Sequence, residues 1–190
     1  MADYGGVLAD HHQQPAESEL AGLLGIDIPK CRAFLSERSE QGRRFREDGI
    51  TETEFWDRVA LLAGISETLR PADAVLSRLW AETYRLNAEV FKILLSYRPT
   101  AAIGILTNVD PARSRYLTDV IRVNNLVDIY IPSFAYRATK YSPDLWKKAN
   151  MAVRRRYPQA TVIYVDDRPQ HIASCEICGW RGILYEGPPS

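Results

Sequence analysis

The sequence predicts an α/β protein built on a parallel sheet with helices on both faces, and three observations carry that expectation. Short apolar runs at 101–106, 129–131 and 161–165 alternate with helix-patterned stretches through the second half of the chain. Between residues 15 and 98 the pattern is almost wholly helical, with no strand-like alternation. Asp3, Thr107-Asn108 and Asp166-Asp167 each stand where an apolar run ends. In parallel sheets functional groups gather at the carboxyl ends of the strands, so these distant residues are expected to meet at one edge.

The elements follow in order. Asp3 precedes a paired-glycine turn, Gly5-Gly6, and an apolar pair, which suits a carboxylate held at the end of a strand. Residues 15–24 form an amphipathic stretch that Gly25 can stop. Thr51-Glu-Thr-Glu54 has the form of a capping box, followed by Phe55, Val59 and Leu62 at helical spacing, with Gly64 as the stop. Pro71 can open a helix carrying Val75, Leu79 and Trp80, and Asn87 can cap another through Val90, Phe91, Leu94 and Leu95. After the strand at 101–106 come a helix over 111–123 and a short strand at 129–131. Ser142-Pro143-Asp144 then reads as N-cap, first-turn proline and first-turn acid of a helix running towards Arg155. The strand at 161–165 ends on the two aspartates, a helix follows Pro169, and 182–185 reads as a last strand.

Composition excludes several classes. A chain of 190 residues can hold one α/β core and a small accessory unit. With 24 basic and 24 acidic side chains, no bulk field favours nucleic acid or anionic lipid. No apolar run approaches the roughly 20 residues that span a bilayer, and no secretory signal opens the chain. The 3 cysteines cannot all pair with one another, which fits a reducing compartment. The expectation is a cytoplasmic protein with no nucleic-acid or membrane partner.

The converging residues suit phosphoryl chemistry. A carboxylate can attack phosphorus to give an aspartyl-phosphate that water later hydrolyses. Oxygen ligands such as Asp3 and Asp166, with a backbone carbonyl and waters, suit Mg2+. The Thr107 hydroxyl and the Lys140 ammonium can hold phosphate oxygens, as can backbone amides of the Tyr4-Gly5-Gly6 turn. Each residue also has a plainer reading. Asp3 can cap a turn, Thr107-Asn108 and Asp166-Asp167 can cap helices, and Lys140 is one lysine among many. Cys175-Glu-Ile-Cys178 has the spacing of half a zinc site but no second pair, so core packing accounts for it better. His11-His12 reads as a solvated hinge or a pocket entrance. Arg43-Arg44 and Arg154-Arg155 read as solvated faces, although an arginine from the helical segment could meet a substrate anion. Trp56 and Trp80 fit a helical core.

Four segments in order resemble the motifs of the haloacid dehalogenase-like superfamily. Asp3-Tyr-Gly-Gly-Val-Leu8 resembles the first, Ile105-Leu-Thr-Asn108 the second, Lys140 within Ala138-Thr-Lys-Tyr-Ser-Pro143 the third, and Val165-Asp-Asp167 the fourth. The resemblance covers nearly the whole chain. It implies a Rossmann-like core over 1–11 and 99–190, with a helical cap over 12–98 inserted after the first motif. It also implies a Mg2+-dependent hydrolase in which Asp3 is the nucleophile, supported by Lys140 and Asp167. Tyr4, Gly5, Thr107 and Asn108 would bind the substrate, and Asp3, the Gly5 carbonyl and Asp166 would hold the metal.

Three departures from the family pattern bear on function. Gly5 stands where phosphatases of the family commonly carry a second aspartate as general acid, although members with glycine exist. Dehalogenating members often carry a tyrosine at that position, whereas here Tyr4 comes one place early. Tyr141 replaces the proline that commonly follows the motif lysine. Only Met1 and Ala2 precede Asp3, where a strand ordinarily takes about 5 residues, so the central first strand is expected to be cut short at its N-terminus. The coding sequence upstream of Met1 distinguishes a late start from a short strand. The favoured expectation is a phosphatase acting on a small phosphorylated metabolite. The alternatives are a 2-haloacid dehalogenase-type hydrolase, or a degenerate or truncated member without catalysis.

Overall fold

A computed structural model describes residues 1–10 and 14–187. The elements run β1 (Ala9–Asp10), α1 (Gln14–Leu23), α2 (Ile28–Leu35), α3 (Glu40–Arg46), α4 (Glu52–Ala63), α5 (Asp73–Glu82), β2 (Arg85–Leu86) and α6 (Ala88–Ser96). They continue with β3 (Gly104–Thr107), α7 (Pro111–Asp119), α8 (Val123–Leu126), β4 (Ile129–Pro132), α9 (Pro143–Arg156), β5 (Ile163–Asp166), α10 (Pro169–Ile177) and β6 (Arg181–Leu184). His11-His12, read above as hinge or pocket entrance, lies outside the described residues. Among the described residues no helix is long and apolar enough to cross a membrane.

The sheet is parallel. β3 pairs with β4, and β5 with β6. Residues 1–3 lie between the two pairs, with Ala2 bridging in parallel to both Ile105 and Val165. Ala2 N donates to Gly104 O at 2.9 Å and Asp3 N to Val165 O at 2.9 Å. In return Leu106 N donates to Ala2 O and Val165 N to Met1 O, each at 3.1 Å. Because β3 and β5 are themselves only 4 residues long, this short segment meets most of their length. Gly104 lets it approach, since a Cβ there would collide with the Met1 thioether.

Caps set the helix boundaries. Thr51 and Glu54 form a reciprocal capping box at the start of α4, and Gly64 closes it in the left-handed conformation at φ 79°. Asp27, Ser39, Asn87, Asp110 and Ser142 each accept a backbone N–H at the start of α2, α3, α6, α7 and α9. The helical pattern at 111–123 divides into α7 and α8, because Arg122 takes a positive φ of 56° between them. α5 begins at Asp73, two residues past Pro71.

Leu20, Leu24, Phe45, Phe55, Trp56, Val59, Leu76 and Leu79 form one apolar cluster inside the α1–α5 unit. A second cluster, with Ala2, Leu8, Phe91, Ile105 and Leu117, fills one face of the sheet. A third, with Leu106, Leu145, Trp146, Tyr164, Cys175 and Trp180, fills the other. α6 therefore packs with the sheet rather than with the helices before it. The chain leaves the core and rejoins it through an antiparallel two-residue ribbon, Ala9 against Leu86 and Asp10 against Arg85. Cys31, Cys175 and Cys178 are free thiols, and Cys175 is buried in the third cluster.

Candidate active site

The carboxyl edge of the sheet brings the expected residues together. Asp3 follows the central segment, Thr107 ends β3, Asp166 ends β5, and Lys140 lies just before the Ser142 cap of α9. The Lys140 backbone is held from two sides. Its N–H donates to Asn108 Oδ1 at 2.7 Å, and its carbonyl accepts from Trp146 Nε1 at 2.8 Å. Its side chain is 1 % exposed and its ammonium bonds the carboxylates of both Asp3 and Asp166, the latter at 2.7 Å. Burial disfavours that ammonium, but the two carboxylates outweigh it and hold the Lys140 pKa above its ordinary value. Burial raises the Asp3 carboxyl, Lys140 pulls it back, and the Asp166 charge raises it again.

Asp166 is saturated. Oδ1 accepts from Arg168 N at 2.9 Å and lies 3.0 Å from His171 Nδ1; Oδ2 accepts from Lys140 at 2.7 Å and from Tyr164 OH at 2.5 Å. These partners occupy the roughly four lone-pair sites of a carboxylate. Burial opposes its ionisation, yet the His171 hydrogen bond and the Lys140 charge keep Asp166 well below the usual carboxylate range. Asp167 differs: its Oδ1 is buried with no hydrogen-bond partner among the described residues, and burial, followed by the Asp166 charge, raises its pKa. Its carboxylate lies against the turn after Asp3, where a Cβ on Gly6 would collide with it. Gly6 has φ 83°, a conformation that suits glycine.

A cavity of about 310 Å³ joins this cluster to the α1–α5 unit. Asp3, Gly5, Thr107, Asn108, Lys140 and Asp167 line it from the core, and Glu17, Arg32, Glu37, Arg46 and Trp80 line it from the helices. Glu37, in the loop after α2, reaches three core loops at once. It accepts from Asn108 Nδ2 at 2.8 Å and from Tyr141 OH at 2.8 Å, and it pairs with Arg168. Burial raises the Glu37 carboxyl, but Arg46, Arg168 and the bonds from Asn108 and Tyr141 together lower it to about 2. Tyr141, the departure from the family pattern, belongs to this junction and packs edge-on against His171.

Neither a family model nor a curated protein matches the sequence. Solved structures do. A HAD (haloacid dehalogenase) family enzyme from Bacteroides thetaiotaomicron, crystallised with magnesium and inorganic phosphate, aligns with a TM-score of 0.77 at 15% identity over 100% of this chain and 94% of that one. A protein described as a predicted HAD-like family hydrolase from Porphyromonas gingivalis aligns with a TM-score of 0.72 at 17% identity, over 96% and 88%. The fold is that of the haloacid dehalogenase-like hydrolases. The L-2-haloacid dehalogenase of Xanthobacter autotrophicus shares it, with a TM-score of 0.61 at 16% identity over 95% of this chain and 74% of that one.

Within the haloacid dehalogenase-like fold, most of the sequence-derived site residues meet at the cavity. Asp166 is fully buried against Lys140 and does not itself line the cavity, and Tyr4 is the other exception. Its backbone N–H donates to Asp3 Oδ1 at 2.7 Å, but its ring stacks with Tyr84 in the apolar cluster and does not line the cavity. Sequence reasoning did not single out Glu17, Glu37, Arg46, Tyr164, Arg168 or His171. For His171 a signal existed, since it falls 5 residues after Asp166 in the first turn of α10. Its Nε2 is buried without a hydrogen-bond partner among the described residues, and the ring lines the cavity.

Proposed function

We infer that this protein is a Mg2+-dependent phosphatase acting on a small phosphorylated metabolite. The observation that carries the reading is the Lys140 ammonium shared by Asp3 and Asp166 at the floor of the cavity, beside Thr107 and Asn108. Three carboxylates, Asp3, Asp166 and Asp167, gather around that one ammonium, and the excess negative charge together with the orphaned Asp167 Oδ1 fits a divalent cation. Asp3, Asp166 and His171 also offer ligand atoms within 4.8 Å of one another. There, however, Lys140 already bonds both carboxylates, and Asp166 has no free lone pair. The sequence reading gave the metal to Asp166 and a supporting role to Asp167; the hydrogen bonding favours the reverse. The proposed ligands are Asp3, the Gly5 carbonyl and Asp167. When bound, the cation offsets repulsion between the carboxylate nucleophile and the anionic phosphoryl group.

In the reaction, an Asp3 carboxylate oxygen attacks phosphorus and the ester P–O bond breaks, leaving an aspartyl-phosphate and an alkoxide that takes up a proton. Thr107 would hold a phosphoryl oxygen, and the Lys140 ammonium, whose donors go to Asp3, Asp166 and Tyr164, would stabilise the phosphoryl charge by its field. Water then attacks phosphorus, releasing phosphate and restoring the Asp3 carboxylate. Gly5 offers no carboxyl group, so the leaving oxygen takes its proton from water, from the substrate or from another residue. Asp166 ties Lys140, Tyr164 and His171 into one unit, which fixes the ammonium. The test is phosphate release from a panel of phosphate esters, with and without Mg2+. Wild-type turnover that needs Mg2+ and is lost in Asp3→Asn supports the reading. Full activity in Asp3→Asn sinks it, and halide release that survives a chelator would replace it with dehalogenation.

A further inference from the structure

Among the charged groups facing the cavity, two have no salt-bridge partner among the described residues. Lys140 bonds two carboxylates, Asp3 and Asp166, Arg32 forms a bidentate pair with Glu17, and Arg168 pairs with Glu37. One exception is Asp167, the candidate metal ligand. The other is Arg46, in the last turn of α3. It is 3 % exposed and lines the cavity, and among the described residues it has no carboxylate within salt-bridge distance. Glu37 is near enough to feel its charge, but the Glu37 oxygens bond Arg168, Tyr141 and Asn108. Glu37 thus answers Arg168 by direct bonds and Arg46 only at longer range.

Arg46 is also held in place. Its Nη1 donates to Gly42 O at 2.8 Å and its Nη2 to Leu35 O at 3.2 Å. The remaining guanidinium donors have no hydrogen bond among the described residues. Its own carbonyl accepts from Ser133 Oγ at 2.9 Å, which pins this turn of α3 to the end of β4. The guanidinium lies 5.9 Å from the Trp80 ring centroid, a low-polarity backing for a charge. A buried cation without a counter-charge is unfavourable until an anion supplies one, and a guanidinium with free donors suits a carboxylate or phosphate.

We propose that Arg46 binds a second anionic group on the substrate, so that the preferred substrate is a phosphate monoester bearing a carboxylate or another phosphate. This rests on the phosphatase reading of the same cavity and adds the substrate class. It is tested with matched pairs that differ only in that group. One pair is 3-phosphoglycerate against glycerol 3-phosphate; the other is propane-1,3-diol bisphosphate against its monophosphate. The wild-type protein is expected to prefer the doubly anionic member of at least one pair by about 10- to 100-fold in kcat/KM, the scale of a charge-assisted hydrogen bond. The pair that shows the preference identifies carboxylate or phosphate. In Arg46→Gln the ratio falls towards one, mainly through KM, with Arg46→Lys intermediate.

Equal kcat/KM within both pairs overturns the proposal, as does a preference that persists in folded Arg46→Gln. If neither variant folds, the wild-type ratios decide. If no ester is turned over, the phosphatase reading fails, and binding decides the anion site separately. Phosphonoacetate should then raise the thermal midpoint of the wild-type protein well above the effect of ethylphosphonate at equal concentration; equal shifts overturn the proposal.

Discussion

Glu37 accepts a hydrogen bond from the Asn108 amide at 2.8 Å, joining the loop after α2 to the end of β3. The same carboxylate bonds Tyr141 OH and Arg168, so one side chain gathers the loops behind three motifs. Glu37→Gln removes the counter-charge of Arg168 while keeping the shape. The expected cost is about 1–3 kcal/mol of stability, seen in urea denaturation, because buried donors lose a charged acceptor. A variant as stable as the wild type would show that the junction contributes nothing.

The same residue sets an acid response. Its folded-state pKa is depressed to about 2, below the ordinary value of 4.5. The stability it contributes is therefore fully present above about 4.5 and declines as pH falls towards 2. A thermal midpoint followed from pH 5 to pH 2 should drop more steeply for the wild type than for Glu37→Gln. Parallel curves would remove Glu37 from the account.

Lys140 is enclosed between two acids, so Lys140→Met leaves Asp3 and Asp166 without their cation. Breaking a buried pair on one side costs about 3–5 kcal/mol, less whatever protonation of one carboxyl recovers. Phosphatase activity should be lost together with that stability. Lys140→Arg should not rescue it, because a planar guanidinium does not reproduce the compact ammonium's bonds to Asp3, Asp166 and Tyr164.

The two adjacent aspartates should separate by readout. Asp167→Asn is expected to raise the Mg2+ concentration for half-maximal activity by at least about tenfold with little change in melting, since its Oδ1 has no hydrogen-bond partner among the described residues. Asp166→Asn should melt earlier, because four donors lose their carboxylate. If the Mg2+ response follows Asp166 instead, the assignment of ligands reverts to the sequence reading.

Gly6→Ala tests the contact between the turn and the acid. At φ 83° the alanine is strained by about 1–2 kcal/mol, and its methyl group displaces the Asp167 carboxylate. The expected result is a higher Mg2+ concentration for half-maximal activity and a lower thermal midpoint. An unchanged Mg2+ titration would mean that Asp167 does not depend on this turn.

What the sequence reveals divides by distance. The Thr51 capping box, the Gly64 stop and the Asn87 and Ser142 caps are legible because a cap is settled within four residues. The edge where Asp3, Thr107 and Asp166 meet is legible because a parallel sheet aligns its strand ends, whereas Lys140 ends no strand and is singled out only by its place in the order of motifs. The β1–β2 ribbon leaves no trace, since two-residue strands have no periodicity. Glu37 and Arg46 look like any surface charge until α2 and α3 fold over the sheet. The side chain of Tyr4 could not be placed from its neighbours, because alternation fails at the turn after Asp3. Asp166 and Asp167 are chemically identical in the sequence, and only their surroundings separate them.

Trp80 gives the cavity an optical handle. It is the tryptophan that lines the cavity; Trp56, Trp146 and Trp180 sit inside apolar clusters. Its indole N–H is fixed on Asp110 at 3.1 Å and one face is covered by the Arg113 guanidinium at 3.2 Å, so its emission starts from a defined environment. An anion arriving at Arg46 changes the field at that ring directly. Occupancy can thus be followed by intrinsic fluorescence, without a label and before any substrate is identified.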